Sequence, residues 1–289
     1  MKTLRYEIVD VFTDRPFAGN PLAVVLDAGE LASGEMQAIA REFNLSETVF
    51  VVPTTSARAD YRVRIFTPGR ELPFAGHPSV GVAVTLARLW AIKPGEVVQE
   101  CLAGLMPVHV TEHTARLTGG TPTIGPELDP APLLETAGLT AADHTGTAPR
   151  VAGCGLEFPF LPVRPEALDR ALPDATAARR HGIDQVSVFA WDAATATAHA
   201  RVFLPGAGVP EDPATGSAAL GLGVWLVGAG LLPGDGVWAY TIRQGVQMHR
   251  PSTLTCTVTS SGGAATTATV SGGVAPVAHG ELTVPPFIG

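Results

Sequence analysis

Two proline- and glycine-rich stretches each place an ionisable side chain shortly before a long apolar segment. RIFTPGRELPFAGHPSVG spans residues 64–81 and holds His77, and RVFLPGAGVPEDPATGSA spans residues 201–218 and holds Asp212. An imidazole and a carboxylate can each hydrogen-bond a substrate or exchange a proton with it. The two stretches are therefore the first candidates for a functional site.

Each stretch is predicted to open a helix. The N-terminus of a helix offers free N–H groups and a partial positive charge, and it therefore suits an anion. Small residues let a ligand approach the backbone. Such residues at the two helix starts are Gly76, Ser79, Thr215, Gly216 and Ser217. Two starts facing each other across a domain cleft could hold a small carboxylate. The alternative is that Asp212 and Ser217 only cap a helix and that His77 lies in a turn.

The two stretches can be aligned with each other, which indicates an internal repeat. At a constant offset the identical pairs are Arg64 and Arg201, Phe66 and Phe203, Pro68 and Pro205, Gly69 and Gly206, and Pro73 and Pro210. After a gap of two residues they are Pro78 and Pro213, Gly81 and Gly216, and Ala83 and Ala218. In both copies a strand runs into a loop that opens an apolar helix. The repeat predicts two pseudo-equivalent domains.

Strand-like runs dominate the rest of the chain, with one long apolar helix in each half. The first helix begins near His77, with Pro78 in its first turn, where a missing N–H is harmless. A further amphipathic helix is predicted around residues 33–43, with Ser33 as its N-cap. The run GGTPTIGPELDPAP at residues 119–132 reads as a linker between domains. Without regular βα alternation, the predicted class is α+β.

Composition excludes several classes of protein. The chain has 289 residues, 46% of them apolar and 16% charged, which is enough for a large core and argues against disorder. With a net charge of −8, no basic face for nucleic acid is expected. The N-terminus lacks the apolar core of a signal peptide. The apolar run at residues 218–232 is shorter than the ~20 residues of a membrane span. We expect a cytoplasmic protein that binds neither nucleic acid nor membrane.

The three cysteines are expected to be buried free thiols. No CxxC pair occurs among Cys101, Cys154 and Cys256. The run HVTEH at residues 109–113 places two histidines four apart, but its alternation with β-branched residues favours a strand over a metal-binding helix. No metal site and no cofactor are predicted.

Five motifs together resemble the PhzF-like isomerase family of phenazine biosynthesis. In chain order they are FAGNPLAVV, NLSETVF, FTPGRELPFAGHPSVG, EDPATGSA and QGVQMHRPS, and they span nearly the whole chain. The resemblance implies a diaminopimelate-epimerase-like fold, in which two pseudo-symmetric α+β domains each wrap a barrel-like sheet around a central helix. We expect the N-terminal domain at residues 1–118, joined by a last strand at about 280–289, and the C-terminal domain at residues 125–279. The resemblance also implies an active site in the cleft between the domains and a homodimer.

The resemblance also suggests roles for single residues. It assigns the catalytic carboxylate to Glu47, a Gly-His pair that contacts the substrate to Gly76 and His77, and the corresponding Asp and Ser to Asp212 and Ser217. Glu47 lies between an apolar residue and the strand TVFVV. Partial desolvation there is expected to raise the pKa of its carboxyl toward neutrality, which suits a group that both takes and returns a proton.

Two features separate this chain from related proteins. Cofactor-free epimerases of this fold use two facing cysteines, and their positions look like Ala75 and Pro213 here, so a two-thiol mechanism is not expected. The motif near the C-terminus reads MHRP where the family often has MGRP. His249 could make a bordering pocket smaller or more polar, or it could face solvent.

The sequence thus predicts a cofactor-independent isomerase that moves a proton between carbons of a small carboxylate-bearing substrate. The prototype is the cyclic compound trans-2,3-dihydro-3-hydroxyanthranilate. Glu47 is the predicted acid/base, His77 and Asp212 orient the substrate, and Gly76, Ser217 and the flanking amides hold its carboxylate. Two alternatives stay open: a racemase or epimerase that works without thiols, and a non-catalytic protein that binds a small ligand in the same cleft.

Overall fold

The computed structural model describes residues 2–205 and 210–286. The repeat position Gly206 and the end of the predicted last strand, residues 287–289, lie outside the described residues. The chain divides into two compact units, Met1–Thr118 with Ser271–Gly289 (unit 1) and Gly119–Val270 (unit 2). The return to unit 1 lies at Ser271 rather than near residue 280, because one strand continues unbroken from Ala264 to Thr283.

Unit 1 contains two helices and most of its strands in the first part of the chain. The strands are β1 (Thr3–Val11), β2 (Asn20–Val25), β3 (Glu47–Val52), β4 (Tyr61–Phe66), β5 (Glu71–Leu72), β6 (Gly95–Cys101), β7 (Gly104–Val110) and β8 (Thr114–Thr118). The helices are α1 (Ser33–Phe43) and α2 (Gly76–Arg88).

The described part of unit 2 follows with a similar series of strands and four helices. The strands are β9 (Thr123–Glu127), β10 (Arg150–Gly153), β11 (Glu157–Pro162), β12 (Val186–Asp192), β13 (Thr197–Phe203), β14 (Glu211–Asp212), β15 (Gly236–Gln244), β16 (Ser252–Ser261) and β17 (Ala264–Thr283), which belongs to unit 1 from Ser271 onward. The helices are α3 (Pro130–Thr136), α4 (Pro165–Leu168), α5 (Ala175–His181) and α6 (Gly216–Gly228). Single turns of 3₁₀ helix occur at Ala28–Glu30 in unit 1 and Ala141–Asp143 in unit 2.

The strands of unit 1 form a closed barrel. Among its described residues, β1 pairs with β2, β2 with β3, β3 with β4, β4 with β6, β6 with β7, β7 with β8, β8 with β17, and β17 again with β1. Closure leaves no unpaired edge. In unit 2 the corresponding order is β9-β10-β11-β12-β13-β15-β16-β17.

Each unit has one helix at its centre. Residues 76–87 of α2 are all buried, and the helix packs against β1, β2, β3, β7 and β8. Residues 216–227 of α6 are all buried, and that helix packs against β9, β10, β11 and β16. A helix that is apolar on every side is stable only when it is surrounded, and the barrel strands provide this environment. The predicted fold class, with a barrel-like sheet around a central helix in each half, is confirmed.

Helix α1 lies on the outside of its unit and buries one face. Met36 and Ile39 pack there against Leu4 and Phe50. The prediction that Ser33 is the N-cap is wrong, since Ser33 is the first helical residue and follows Ala32. The Glu35 carboxylate accepts the free Ala32 N–H at 2.7 Å, and this bond replaces the cap.

The predicted linker at residues 119–132 contains regular structure. Its centre is β9, which pairs with β10, and its end is the first turn of α3. The short helices α3 to α5 were not predicted. Asp129 and Asp174 cap α3 and α5 with their carboxylates. Apolar side chains of α3 and α4 belong to one buried core with Leu161 and Val188.

The strand register corrects the repeat alignment after Phe66 and Phe203. Phe66 lies opposite Glu71 in unit 1, and Phe203 lies opposite Glu211 in unit 2. Glu71 therefore corresponds to Glu211, and the added residues of the second copy lie in sequence between Phe203 and Glu211. The equivalent pairs that follow are Leu72 and Asp212, Pro73 and Pro213, Ala75 and Thr215, Gly76 and Gly216, and His77 and Ser217. His77 and Asp212 are thus not equivalent positions.

Candidate active site

In each unit the same arrangement positions the site residues at the start of the central helix. In unit 1 the two-residue strand β5 pairs with β4, and in unit 2 the two-residue strand β14 pairs with β13. After each of these short strands the chain enters the barrel, where α2 begins in unit 1 and α6 in unit 2. Gly76 and Gly216 are the first residues of the two helices. The predicted helix starts are thus confirmed.

The first turn of α2 brings His77 next to Glu47, the first residue of β3. Glu47 Oε2 lies 3.5 Å from His77 Nε2, and the exposed fractions of the two side chains are 16% and 4%. The sequence separation of these residues gave no indication that they meet. A mostly buried carboxylate beside a buried imidazole is a typical arrangement for proton transfer.

Asn20 lies on the other side of the imidazole. It is the first residue of β2 and is fully buried, and its Nδ2 lies 3.3 Å from His77 Nδ1. The hydroxyl of Ser46 donates to Asn20 Oδ1 at 3.4 Å. Ser46, Asn20, His77 and Glu47 therefore form one connected polar group. Sequence reasoning did not select Asn20, although it lies in the FAGNPLAVV motif.

The imidazole in this group is neutral at physiological pH. Burial lowers the pKa of His77 to about 3, because the charged ring would lose its hydration. A carboxylate at 3.5 Å favours the charged ring and opposes this effect. Burial is the larger of the two effects, since only 4% of the side chain is exposed. The contact is therefore that of a carboxyl group with a neutral ring.

Ser79, predicted to contact the substrate, is part of the protein interior instead. Its hydroxyl donates to the carbonyl of Ala75 at 2.9 Å and accepts from Gln99 Nε2 at 2.9 Å. The side chain is fully buried, and Gln99 in turn accepts from the hydroxyl of Tyr61. These contacts hold the first turn of α2 against β6 and leave no surface of Ser79 for a ligand.

Unit 2 has a different polar group at the start of its central helix. The hydroxyl of Thr215 donates to Asp212 Oδ2 at 2.5 Å, and Gln244 Nε2 donates to the Thr215 hydroxyl and to the Asp212 carbonyl. The Thr215 N–H donates to Gln244 Oε1 at 3.2 Å. Asp212 and Ser217 are both buried, with 6% exposure. Gln244, which begins the QGVQMHRPS motif but was not selected as a site residue, positions the first turn of α6.

The loop after β15 is fixed beside this turn by a glycine. Gly245 has φ +74°, and a Cβ there would lie 2.6 Å from the carbonyl of Pro213, so a side chain is excluded. The hydroxyl of Ser252 donates to the same carbonyl at 2.8 Å. His249, farther along the loop, is exposed and has φ +57°. The interpretation that His249 faces solvent is the one that the structure supports.

The three thiols are not members of the polar groups described at the two helix starts. Cys101, Cys154 and Cys256 are buried and unpaired, as predicted, and burial raises the pKa of Cys154 to about 12. Ala75 corresponds in register to Thr215 and not to Pro213, which corrects the pair assigned from sequence. His109 lies on β7 and contacts Glu96 at 2.8 Å. Within the described residues, no three His, Cys, Asp or Glu side chains are grouped for a metal, and no helix could span a membrane.

Comparison with known proteins gives consistent matches over the whole chain. The model of the phenazine biosynthesis-like protein family (PhzC-PhzF) matches residues 9–280. An uncharacterized isomerase from Mesorhizobium japonicum is 37% identical over 98% of this chain and 100% of its own. A trans-2,3-dihydro-3-hydroxyanthranilate isomerase from Pseudomonas aeruginosa is 34% identical over 96% of this chain and 98% of its own.

Solved structures extend the comparison to the fold. A PhzF-family phenazine biosynthesis protein from Bacillus anthracis superposes with a TM-score of 0.88 at 25% identity, covering 98% of this chain and 100% of that one. A hydroxyproline epimerase from Agrobacterium vitis, at 16% identity, has a TM-score of 0.64 over 97% of this chain and 92% of that one. The similarity to the hydroxyproline epimerase concerns the fold alone.

Proposed function

This chain belongs to the family of phenazine biosynthesis-like (PhzC-PhzF) proteins and is an isomerase, and we propose that it moves a proton between two carbons of a small cyclic carboxylate. Glu47 is the acid and base of this reaction, and no cofactor takes part. The prototype substrate is trans-2,3-dihydro-3-hydroxyanthranilate, the compound in the name of the Pseudomonas aeruginosa relative.

The observation that carries the proposal is the contact of Glu47 with His77. Glu47 Oε2 lies 3.5 Å from His77 Nε2, and the ring is held from its other side by Asn20. A carboxylate in this position can take a proton from a carbon acid, because the buried surroundings keep water from competing for it. The neutral imidazole does not neutralise the carboxylate, and it can hydrogen-bond either the carboxyl group or the substrate.

The proposed reaction begins with Glu47 as a carboxylate. It takes the proton of one C–H bond, and the electron pair of that bond moves into the conjugated system of the substrate. The Glu47 carboxylic acid then returns the proton to a different carbon of that system, so that one C–H bond breaks and another forms. The enzyme ends in its starting state, which is why a single acid/base suffices.

Other residues bind the substrate in this proposal. Asp212 and His77 hydrogen-bond its polar groups, and the amides at Gly76, Gly216 and Ser217 hold its carboxylate. The hydrogen bond from Thr215 to Asp212 Oδ2 supports an orienting role, because it fixes the carboxylate of Asp212. We assign Thr215 to positioning rather than to direct contact.

The test is turnover of trans-2,3-dihydro-3-hydroxyanthranilate in D₂O. An isomerase that uses solvent-exchangeable Glu47 places one deuterium on the new C–H carbon of the product, and mass spectrometry and NMR measure it. Deuterium at a stereocentre without a shift of the double bond would indicate an epimerase instead. Thermal stabilisation by the compound without any exchange would indicate a binding protein. If this compound is inert, metabolites that co-purify with the Glu47→Gln protein identify the substrate by mass spectrometry.

A further inference from the structure

We propose that Asn20 is a positioning residue that holds His77 in the tautomer with its proton on Nε2, facing Glu47. The catalytic part of this inference rests on the proposed function of Glu47. The tautomer itself follows from the hydrogen bonds within unit 1 and can be measured without a substrate.

The argument begins with the orientation of the Asn20 amide. The amide is oriented with its Nδ2 3.3 Å from His77 Nδ1 and its Oδ1 3.4 Å from the hydroxyl of Ser46. An amide NH₂ only donates, and Nδ1 must therefore accept and cannot carry a proton. A neutral imidazole has one N–H, which is thus on Nε2.

This tautomer determines whether the imidazole presents a hydrogen-bond donor or an acceptor to Glu47. Nε2 lies 3.5 Å from a carboxyl oxygen of Glu47. The positive end of an N–H dipole at that distance favours the charged carboxylate, the form that accepts a proton from a carbon. In the opposite tautomer Nε2 would be an acceptor. Glu47 could then hydrogen-bond the ring only as a carboxylic acid, which cannot serve as the base.

The comparison of the two units supports a joint role of these residues. Counting along the paired strands, Glu47 of β3 corresponds to Gln185, and Asn20 of β2 corresponds to Leu156. His77 corresponds to Ser217. These three residues of the unit 1 group are therefore replaced together in unit 2, and a leucine takes the place of the amide. A merely structural amide on this strand would not require the other two residues.

The experiment reverses the direction of the hydrogen bond between residue 20 and His77 while keeping a side chain of nearly the same shape at residue 20. In Asn20→Asp the group facing Nδ1 becomes a carboxylate, which accepts, so the proton moves to Nδ1. The control is Asn44→Asp, because Asn44 is the only other asparagine of the chain and lies exposed at the end of α1. The tautomer is read by NMR of protein with ¹⁵N-labelled histidine. The His77 signals are those that are lost in His77→Gln.

We expect the Nε2–H tautomer in the wild type and in Asn44→Asp, and the Nδ1–H tautomer in Asn20→Asp. With trans-2,3-dihydro-3-hydroxyanthranilate, kcat of Asn20→Asp should fall at least about tenfold while KM changes by less than about threefold. An Nδ1–H signal in the wild type overturns the inference even if the variant does not fold. An unchanged tautomer or unchanged kcat in folded Asn20→Asp also overturns it. If Glu47→Gln turned over normally while the tautomers were as expected, the proposed function would fail and the assignment of the tautomer would stand.

Discussion

Unit 1 and unit 2 have the same arrangement of strands around a central helix but carry different polar side chains at its start. Unit 1 has Ala75 and His77 where unit 2 has Thr215 and Ser217. The short strand before the helix ends in Leu72 in unit 1 and in Asp212 in unit 2. In unit 1 Asn20 hydrogen-bonds His77 and Glu47 lies 3.5 Å from its ring. In unit 2 the Thr215 hydroxyl hydrogen-bonds the carboxylate of Asp212, and Gln244 hydrogen-bonds its backbone carbonyl.

The two units share an ion pair and a cation–π contact on the strands that lead to the central helix. Arg64 pairs with Glu71 and lies 5.2 Å from the centre of the Phe66 ring, and Arg201 pairs with Glu211 and lies 5.0 Å from the Phe203 ring. Each ion pair ties the strand before the loop to the short strand after it. This anchor fixes where the helix begins, and the side chains in the first turn could then diverge without disturbing the barrel.

The largest effect is expected for Glu47→Gln, which gives unit 1 the residue that unit 2 has at Gln185. Turnover should fall about a thousandfold, because an amide cannot take the proton, whereas substrate should still stabilise the protein. Steady-state kinetics and thermal shift measure the two effects. The matched control Gln185→Glu should stay within about twofold of the wild-type rate. Near-normal turnover of Glu47→Gln would remove Glu47 from the mechanism.

In unit 2 the corresponding substitution is Asp212→Asn. The variant loses a charged acceptor, and kcat/KM should fall about tenfold to a hundredfold, in line with the strength of hydrogen bonds to charged groups.

Thr215→Ala introduces the residue that unit 1 has at Ala75. It should lower kcat/KM by less, about fivefold, since Asp212 itself is kept. A larger loss in Thr215→Ala than in Asp212→Asn would contradict the assignment of Thr215 as the positioning group.

The buried imidazole of unit 1 should make stability depend on pH. The pKa of His77 is about 3 in the folded chain and about 6.5 in an unfolded one. Between these values only the unfolded chain binds the proton, so the free energy of unfolding falls as the pH falls below ~6.5, by at most about 1.4 kcal/mol per pH unit. Glu47 is the titratable group that faces the ring.

Urea unfolding of His77→Gln and wild type between pH 4 and pH 7 tests this dependence, since glutamine fills much of the same space and does not titrate. The variant should lose stability less steeply than the wild type as the pH falls. His249→Gln, a change at an exposed histidine, should leave the wild-type curve unchanged. Parallel curves for wild type and His77→Gln would show that His77 is not the group responsible.

The smallest effects on turnover are expected where the units are most alike. Gly81 and Gly221 are equivalent positions in the central helices. A Cβ on Gly81 would lie 2.5 Å from Leu22 Cδ2, and one on Gly221 would lie 2.9 Å from the carbonyl oxygen of Ala152. Gly81→Ala and Gly221→Ala should each cost about 1–3 kcal/mol in urea unfolding and leave kcat nearly unchanged.

Gly69→Ala is the control, because a Cβ there would meet nothing closer than 3.9 Å. Its free energy of unfolding should stay within about 0.5 kcal/mol of the wild type. If only one of the two helix variants lost stability, the two central helices would not approach their barrel walls in the same way.

The elements that could be predicted from the sequence are those whose hydrophobic pattern extends over enough consecutive residues to be recognised. The run VSVFAWD is β12 without a change of bounds, and the apolar runs after His77 and Thr215 are α2 and α6. The helices α3 to α5 were missed, because four to seven residues give too few turns for a period to be recognised. The repeat was aligned wrongly beyond Phe203, since identity alone cannot locate a loop insertion that strand pairing reveals.

The family, the repeat and the residue types at the two helix starts could be identified from the sequence alone, because they depend on local motifs such as PFAGHP and EDPATGSA. Only the tertiary structure decided which of these residues meet. Asn20 and Glu47 begin the paired strands β2 and β3, and α2 packs against both. Asn20 Nδ2 and Glu47 Oε2 therefore lie 3.3 Å and 3.5 Å from the two ring nitrogens of His77. The structure also placed Ser79 in the interior with Gln99. The direction of a side chain depends on the packing of distant strands, which no local pattern encodes.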